Sequence, residues 1–566
     1  MNYIHLAERP DEQTKEWTAG AYSELCARIS GAEASSTSSA WLQLFEDWNA
    51  LKSYVESEGS RLSYAATKDM TNEQHDARER THRTEVLPLA EEGDAKMVAA
   101  LLASKHSKAI ADRYGEHLIT VLGVGEESLS PKNTKQRVSV GELCNKYDKL
   151  VASGEVDVQG EMITLASARA KLSSDDPATR RAAFEAYYGW FLENRDALAQ
   201  IYAEQVVLRD QMGKQLGYEN YLPLGYSGME RTDYGPEEAA AFRASVRKYV
   251  VPLSKRLDEE QAALLETPTL RPWDAAYHPT YSLAQGVAKP IDKQLDKMGR
   301  VFDKLSPQLA AHFQRMRDEG LIDLENRKGK AAGAYCTSFP DEGRVAIFCN
   351  STGNESDVGT LAHEMGHAFQ GWESQAIKAV DLRWPSSDAC EIHSMGMEFL
   401  CMPYLGEFFQ EEDRETFARA RWFKAVSLLC YVCIVDEFQH WVYEHAQATA
   451  DERDAAFVKI RDIYQPGVDW SGEAEPYAST RWYAQLHIFD HPFYYIDYAI
   501  AETGAMQLGM LDQADHEGCL ETYLELCRLG GTKSLLGLVR GAGLRSPFEP
   551  ELMRDLMAHA EQQLGI

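Results

Sequence analysis

Thr360-Leu361-Ala362-His363-Glu364-Met365-Gly366-His367-Ala368-Phe369-Gln370 decides how this chain is read. The triplets flanking the central five residues hold no glycine or proline, so one helix can run through all of them. Residues four apart on a helix lie about 40° apart around its axis, which lets the imidazoles of His363 and His367 reach one metal ion. Glu364 follows the first histidine and reaches a water on that ion without being a ligand itself. Three fixed positions are a weak signal in a chain with sixteen histidines, so the reading needs a third ligand.

Asp388-Ala389-Cys390-Glu391-Ile392-His393-Ser394-Met395-Gly396-Met397-Glu398-Phe399 supplies one. The stretch predicts a second buried helix, opened by Ser387 or Asp388, and puts Glu391 twenty-eight residues past His363. Two histidines and a glutamate with water in the fourth position make a catalytic zinc site, whereas a closed cysteine-rich set would be structural. One Zn2+ per chain is expected. His393 points about 200° away from Glu391 on a helix, which predicts a place in the core or behind the ligands. Ser394 and Glu398 share the face of Glu391, and either can orient a ligand. Asp357 is expected as the N-cap of the first helix, with a contact to a zinc histidine as the alternative.

The 566 residues, 44% hydrophobic and 26% charged, have a globular balance. The net charge of −30 argues against nucleic acid and anionic membrane as partners, since both would be repelled. Met1-Asn2-Tyr3-Ile4-His5-Leu6-Ala7-Glu8-Arg9-Pro10 lacks the basic start and apolar run of a leader, and no stretch approaches a membrane span. A cytoplasmic place is expected. The ten cysteines sit mostly among apolar residues, as reduced core thiols do. Cys430-Tyr431-Val432-Cys433 has redox spacing but lies in a stretch that reads as a buried helix.

No long linker, low-complexity tract or repeat marks a boundary. An N-terminal helical lobe over residues 1–120 and a catalytic region over 121–566, with its zinc core at about 330–550, are expected. Glu155 to Leu165 alternates and predicts a hairpin turning at Gln159-Gly160. Long helices follow, one opened by Ser173-Ser174-Asp175-Asp176-Pro177 and another near Gly235-Pro236. Ala334 to Thr337 and Arg344 to Cys349 read as short strands just ahead of the metal helix. Gly530-Gly531-Thr532-Lys533 lacks the spacing of a phosphate loop and reads as a loop or as helix caps.

With these residues in place the chain resembles the M3 family of zinc oligopeptidases, the thimet oligopeptidase and oligoendopeptidase F relatives. Ala334-Tyr335-Cys336, Asn350 and Asp357 to Gln370 carry the likeness, together with Cys390-Glu391-Ile392-His393-Ser394-Met395. His487-Ile488-Phe489-Asp490-His491-Pro492-Phe493-Tyr494-Tyr495-Ile496-Asp497-Tyr498 is similar to the tyrosine-rich helix of the oligoendopeptidase F and Pz-peptidase branch. Gly530 to Pro547 is similar to its C-terminal loop. The resemblance implies a mostly α, zincin-like helical ellipsoid with a deep substrate channel and a small β-sheet beside the metal helix.

It also implies a zinc-dependent oligoendopeptidase that hydrolyses internal bonds of short unstructured peptides. Glu364 would be the general base for the zinc-bound water, and Tyr498 and His487 would donate hydrogen bonds to the developing oxyanion. A helix opened by Pro492 would put Tyr494 and Tyr498 on one face and Tyr495 nearly in line. Tyr494, Tyr495 and His491 are candidates for substrate binding. An extended peptide is expected to add to an edge strand near Arg344 to Cys349. A metallocarboxypeptidase on a related scaffold is the rival within enzymes, and a non-catalytic peptide-binding protein the rival outside them.

Overall fold

Gln159 and Gly160 both take positive φ, 58° and 88°, as a two-residue hairpin turn demands. Around them β1 (Glu155–Val158) and β2 (Glu161–Thr164) pair antiparallel, with Val158 opposite Glu161. The computed structural model describes residues 14–34, 37–128, 130–284 and 286–566. Met1–Pro10, the stretch read for a leader, lies outside them. The described residues are mostly helical, with this hairpin and a three-stranded sheet. Among them no helix is long and apolar enough to cross a membrane.

The chain divides into two units, one made of Met1–Glu126, Ala284–Arg414 and Gly504–Leu544, the other of Glu127–Leu283, Glu415–Thr503 and Arg545–Ile566. In the first, α1 (Ser39–Lys68) repeats apolar residues at helical spacing, and Trp41, Leu44, Phe45, Trp48, Leu51 and Val55 are all buried. They pack on Tyr22, Leu25, Met97 and Leu101, and each such side chain removed from water stabilises the fold by about 1.5–3 kcal/mol.

The sheet of this unit joins β3 (Ile322–Glu325), β4 (Tyr335–Phe339) and β5 (Arg344–Ser351) in the order β3-β5-β4. The expected edge strand at Arg344 to Cys349 is therefore corrected. β5 is central, paired parallel to β3 and antiparallel to β4, and its backbone groups are taken on both sides. β4 is the edge. Tyr64 of α1 donates to the Ile347 carbonyl at 3.2 Å, which ties that helix to the sheet.

After β5 comes the metal helix, α2 (Glu355–Glu373), with Asn354 as its N-cap. Asp357 caps it from the third helical position, not from the N-cap as expected. Its Oδ2 accepts the backbone N–H of the N-cap Asn354 at 3.2 Å, a group a helix start otherwise leaves unsatisfied, and also those of Thr352 at 2.8 Å and of Gly353 in the turn just before the helix. Helix α3 (Ser387–Cys401) takes Ser386 as its N-cap, one residue before the expected Ser387 or Asp388. It lies against α2 where the motif has its glycine. A Cβ at Gly366 would stand 2.5 Å from the His393 carbonyl oxygen and 2.6 Å from Ser394 Cα. The Tyr523 hydroxyl, 3.3 Å from the carbonyls of both Gly366 and His393, bridges the two helices. Gly530, at φ 48°, caps the helix that carries Tyr523, so this glycine-rich segment includes a helix cap, one of the two readings expected of it.

In the second unit Asp176 caps the helix Pro177–Glu193, with Pro177 at its first turn. Cys430 and Cys433 are free thiols buried on the helix Glu411–Glu444, and burial pushes Cys430 up to about 12. They are core residues. The expected helix start at Pro492 is also corrected. Phe493 takes φ 67°, and α4 (Ile496–Ala514) begins only at Ile496. The buried Arg231 guanidinium holds this turn, reaching the Phe493 carbonyl and, at 2.6 Å, Asp497 Oδ1. Tyr498 follows at once.

Candidate metal centre and tyrosine cluster

α2 and α3 bring His363, His367 and Glu391 together, with one ligand atom from each lying within 4.8 Å of the others. Oε2 of Glu391 is 3.3 Å from His363 Nε2 and 3.7 Å from His367 Nε2. Ligand atoms placed tetrahedrally at about 2.1 Å from an ion would stand about 3.4 Å apart. The donor set fits zinc. Ser394 Oγ donates to Glu391 Oε2 at 2.9 Å, and Glu398 Oε1 lies 2.9 Å from His363 Nδ1. Both residues expected to orient a ligand contact a candidate one, Ser394 the glutamate and Glu398 a histidine.

The charges favour a cation. Burial works against a proton on His363, but its hydrogen bonds to Glu391 and Glu398 and their charges outweigh this and lift it to about 10. Burial would raise Glu391, yet the His363 hydrogen bond and the imidazole charges hold it below its usual range. Burial drops His367 to about 4, leaving it neutral and able to ligate. Glu364 is lifted to about 7, chiefly by burial. Its Oε2 is buried with no hydrogen-bond partner among the described residues. His393 is buried and bonds the Ala389 carbonyl from Nδ1 at 2.9 Å; it belongs to the core, as its spacing predicts.

His487, on the short helix Leu486–Asp490, gathers the tyrosines of the second unit. Its ring centroid is 5.7 Å from Tyr494, 4.8 Å from Tyr495 and 6.0 Å from Tyr498. Tyr498 contacts Tyr494 at 5.3 Å and Tyr495 at 5.5 Å. The cluster expected from one helix face is thus built from a helix, a turn and a second helix. His491 is exposed beside it, 6.2 Å from Tyr494. Burial, with the charges of His491 and Arg169, lowers His487 to about 4. Gln485 and Tyr431, which no sequence spacing marks, contact the cluster from behind: Gln485 Nε2 lies 2.8 Å from His487 Nδ1, and Tyr431 donates to Gln485 Oε1.

Two imidazoles and a carboxylate converging from adjacent helices, with a second acid alongside, define a metallopeptidase of the His-Glu-x-x-His class. The sequence profile of peptidase family M3 matches residues 170–558, and that of the peptidase M3 N-terminal domain matches residues 8–125. The chain belongs to peptidase family M3.

Among solved structures, a Pz peptidase A with an inhibitor is 31% identical, covers 98% of this chain and 98% of its own, and superposes with a TM-score of 0.89. A structure bearing the name oligoendopeptidase F is 29% identical over 99% of this chain and 98% of its own, with a TM-score of 0.88. Another of that name, from Bacillus anthracis str. Ames, is 30% identical over 99% and 98%, with a TM-score of 0.84. The likeness read from the tyrosine block is borne out: the chain falls in the oligoendopeptidase F branch. A comparison with curated protein sequences gives no match.

Proposed function

We propose that the chain is a zinc-dependent oligoendopeptidase that cuts internal bonds of short unstructured peptides. The observation that carries this reading is the convergence of His363, His367 and Glu391 beside the unpartnered carboxylate oxygen of Glu364. Zinc held by those three residues would supply a Lewis acid that polarises the scissile carbonyl and acidifies water. Glu364, poised near neutrality, takes the proton of the attacking water and gives it to the leaving amine. Tyr498 and His487 donate to the oxygen on which charge develops. Tyr494, Tyr495 and His491 hold the substrate. Ten free cysteines accord with a reducing compartment such as the cytoplasm.

A quenched peptide blocked at both ends, assayed alongside metal analysis, tests the reading. Wild type should cut it with one zinc bound. Glu364→Gln should keep the zinc and lose cleavage, whereas His363→Ala, His367→Ala and Glu391→Ala should lose metal. Cleavage only of peptides with a free C-terminus would mean a carboxypeptidase, and zinc without cleavage of any peptide would mean a binding protein.

A further inference from the structure

Gln485 stands between Tyr431 and His487 and leaves the imidazole little choice. Tyr431 donates its hydroxyl hydrogen to Gln485 Oε1 at 2.8 Å. That turns the amide nitrogen toward the histidine, 2.8 Å from Nδ1. An amide nitrogen only donates, so Nδ1 must accept and cannot carry the ring proton. Tyr431 is itself pinned, with the Arg481 guanidinium 4.1 Å over its ring and Tyr495 edge-on at 5.8 Å.

We propose that Tyr431 and Gln485 are positioning residues that lock His487 in the Nε2–H tautomer, so that the ring presents a donor to the reacting carbonyl. The proposal deepens the reading above and rests on His487 as an oxyanion donor. Burial keeps this ring neutral down to about pH 4, and in a neutral imidazole the tautomer alone decides whether Nε2 donates or accepts. A ring with its proton on Nδ1 would turn a lone pair toward the oxyanion and oppose the charge it is meant to stabilise.

Zinc-loaded full-length protein carrying 15N-labelled histidine gives the answer, with His487→Gln identifying the resonance. Wild type should show a bare Nδ1 and a protonated Nε2. Gln485→Glu offers a carboxylate that only accepts, and should pull a proton onto Nδ1 while kcat falls roughly 10²-fold at nearly constant KM. Tyr431→Phe frees the amide to turn and should give mixed tautomers with a smaller loss of kcat. A wild-type ring protonated on Nδ1, or a bare Nδ1 persisting in folded Gln485→Glu, overturns the lock. A switched tautomer with unchanged kcat upholds the lock and instead removes His487 from oxyanion stabilisation.

Discussion

His363 Nδ1 lies 2.9 Å from Glu398 Oε1, while the Nε2 of the same ring faces Glu391 at 3.3 Å. One nitrogen turns to the other candidate ligands and the other is held from behind, an arrangement that would fix the tautomer and tilt of the imidazole if it binds a metal. Glu398→Gln should therefore weaken zinc binding about 10–100-fold in a protein that still folds. Competition with a chelator measures it. Equal affinity would leave Glu398 with only a packing role.

Gly366 is the second of the two residues between the histidines that the motif leaves free, yet the packing does not leave it free. A methyl group there meets backbone atoms of α3 at 2.5 and 2.6 Å, and backbone cannot swing away as a side chain can. Gly366→Ala should force α2 and α3 apart, costing about 1–3 kcal/mol and lowering zinc affinity as Glu391 recedes from the imidazoles. Urea unfolding and metal titration on one preparation check both effects. Loss of stability with full affinity would show that α3 yields elsewhere.

Tyr498 sits against Tyr494, Tyr495 and His487, and its place is set by the buried Arg231–Asp497 pair one residue earlier. If its hydroxyl donates in the transition state, Tyr498→Phe should lower kcat by roughly 10²–10³ with little change in KM. Tyr495→Phe should do much less. Near-normal turnover with a lower Tm in Tyr498→Phe would place the ring in packing.

The metal helix, the Glu391 helix, the hairpin at Gln159-Gly160 and the buried Cys430–Cys433 helix are legible because each rests on local spacing and turn chemistry. What escapes is set by partners distant in sequence. β5 becomes central only because Ile322 pairs with Ile347 across a crossover, and nothing in the four residues of β3 announces that pairing. The start of α4 is hidden likewise, since the Phe493 turn is held by Arg231, far back in the chain. Gln485 carries no signal at all; its place behind His487 depends on a hydroxyl from the middle of another helix. Ser394 and Glu398, by contrast, were readable from their spacing to Glu391.

His278 links pH to stability in the second unit. It is buried, stacked on Tyr281 at 4.1 Å and against Phe423 at 4.8 Å, and burial lowers it from 6.5 to about 4. Between those values the unfolded chain binds the extra proton. Its contribution is thus fully present above pH 6.5 and is lost as pH falls toward the folded value. His278→Asn keeps an acceptor for the Thr280 N–H but does not titrate. The stability lost between about pH 7.5 and about pH 5 should be smaller in that variant. An unchanged difference by chemical denaturation would mean the ring gains its proton while folded.

The edge position of β4 predicts the shape of the substrate. With β5 taken on both sides, Tyr335–Phe339 is the strand of this sheet beside the metal helix with a single strand neighbour, so an extended peptide would lie along it and gain main-chain hydrogen bonds whatever its side chains. Recognition through backbone demands a segment free of its own structure. Peptides on the order of five to twenty residues should be cut at internal bonds with loose side-chain preference, and native proteins should survive while their reduced, denatured forms are cleaved. A peptide N-methylated at single backbone positions near the scissile bond should show a raised KM where the lost N–H faced β4, and unchanged KM at the alternate positions, because successive residues of a strand point to opposite sides. A length series, native and denatured casein-sized substrates, and the methylated set, each run against Glu364→Gln to exclude contaminating protease, make the comparison. Uniform tolerance of N-methylation would remove β4 from substrate binding, and efficient digestion of a native protein would end the oligopeptidase reading while leaving the zinc chemistry intact.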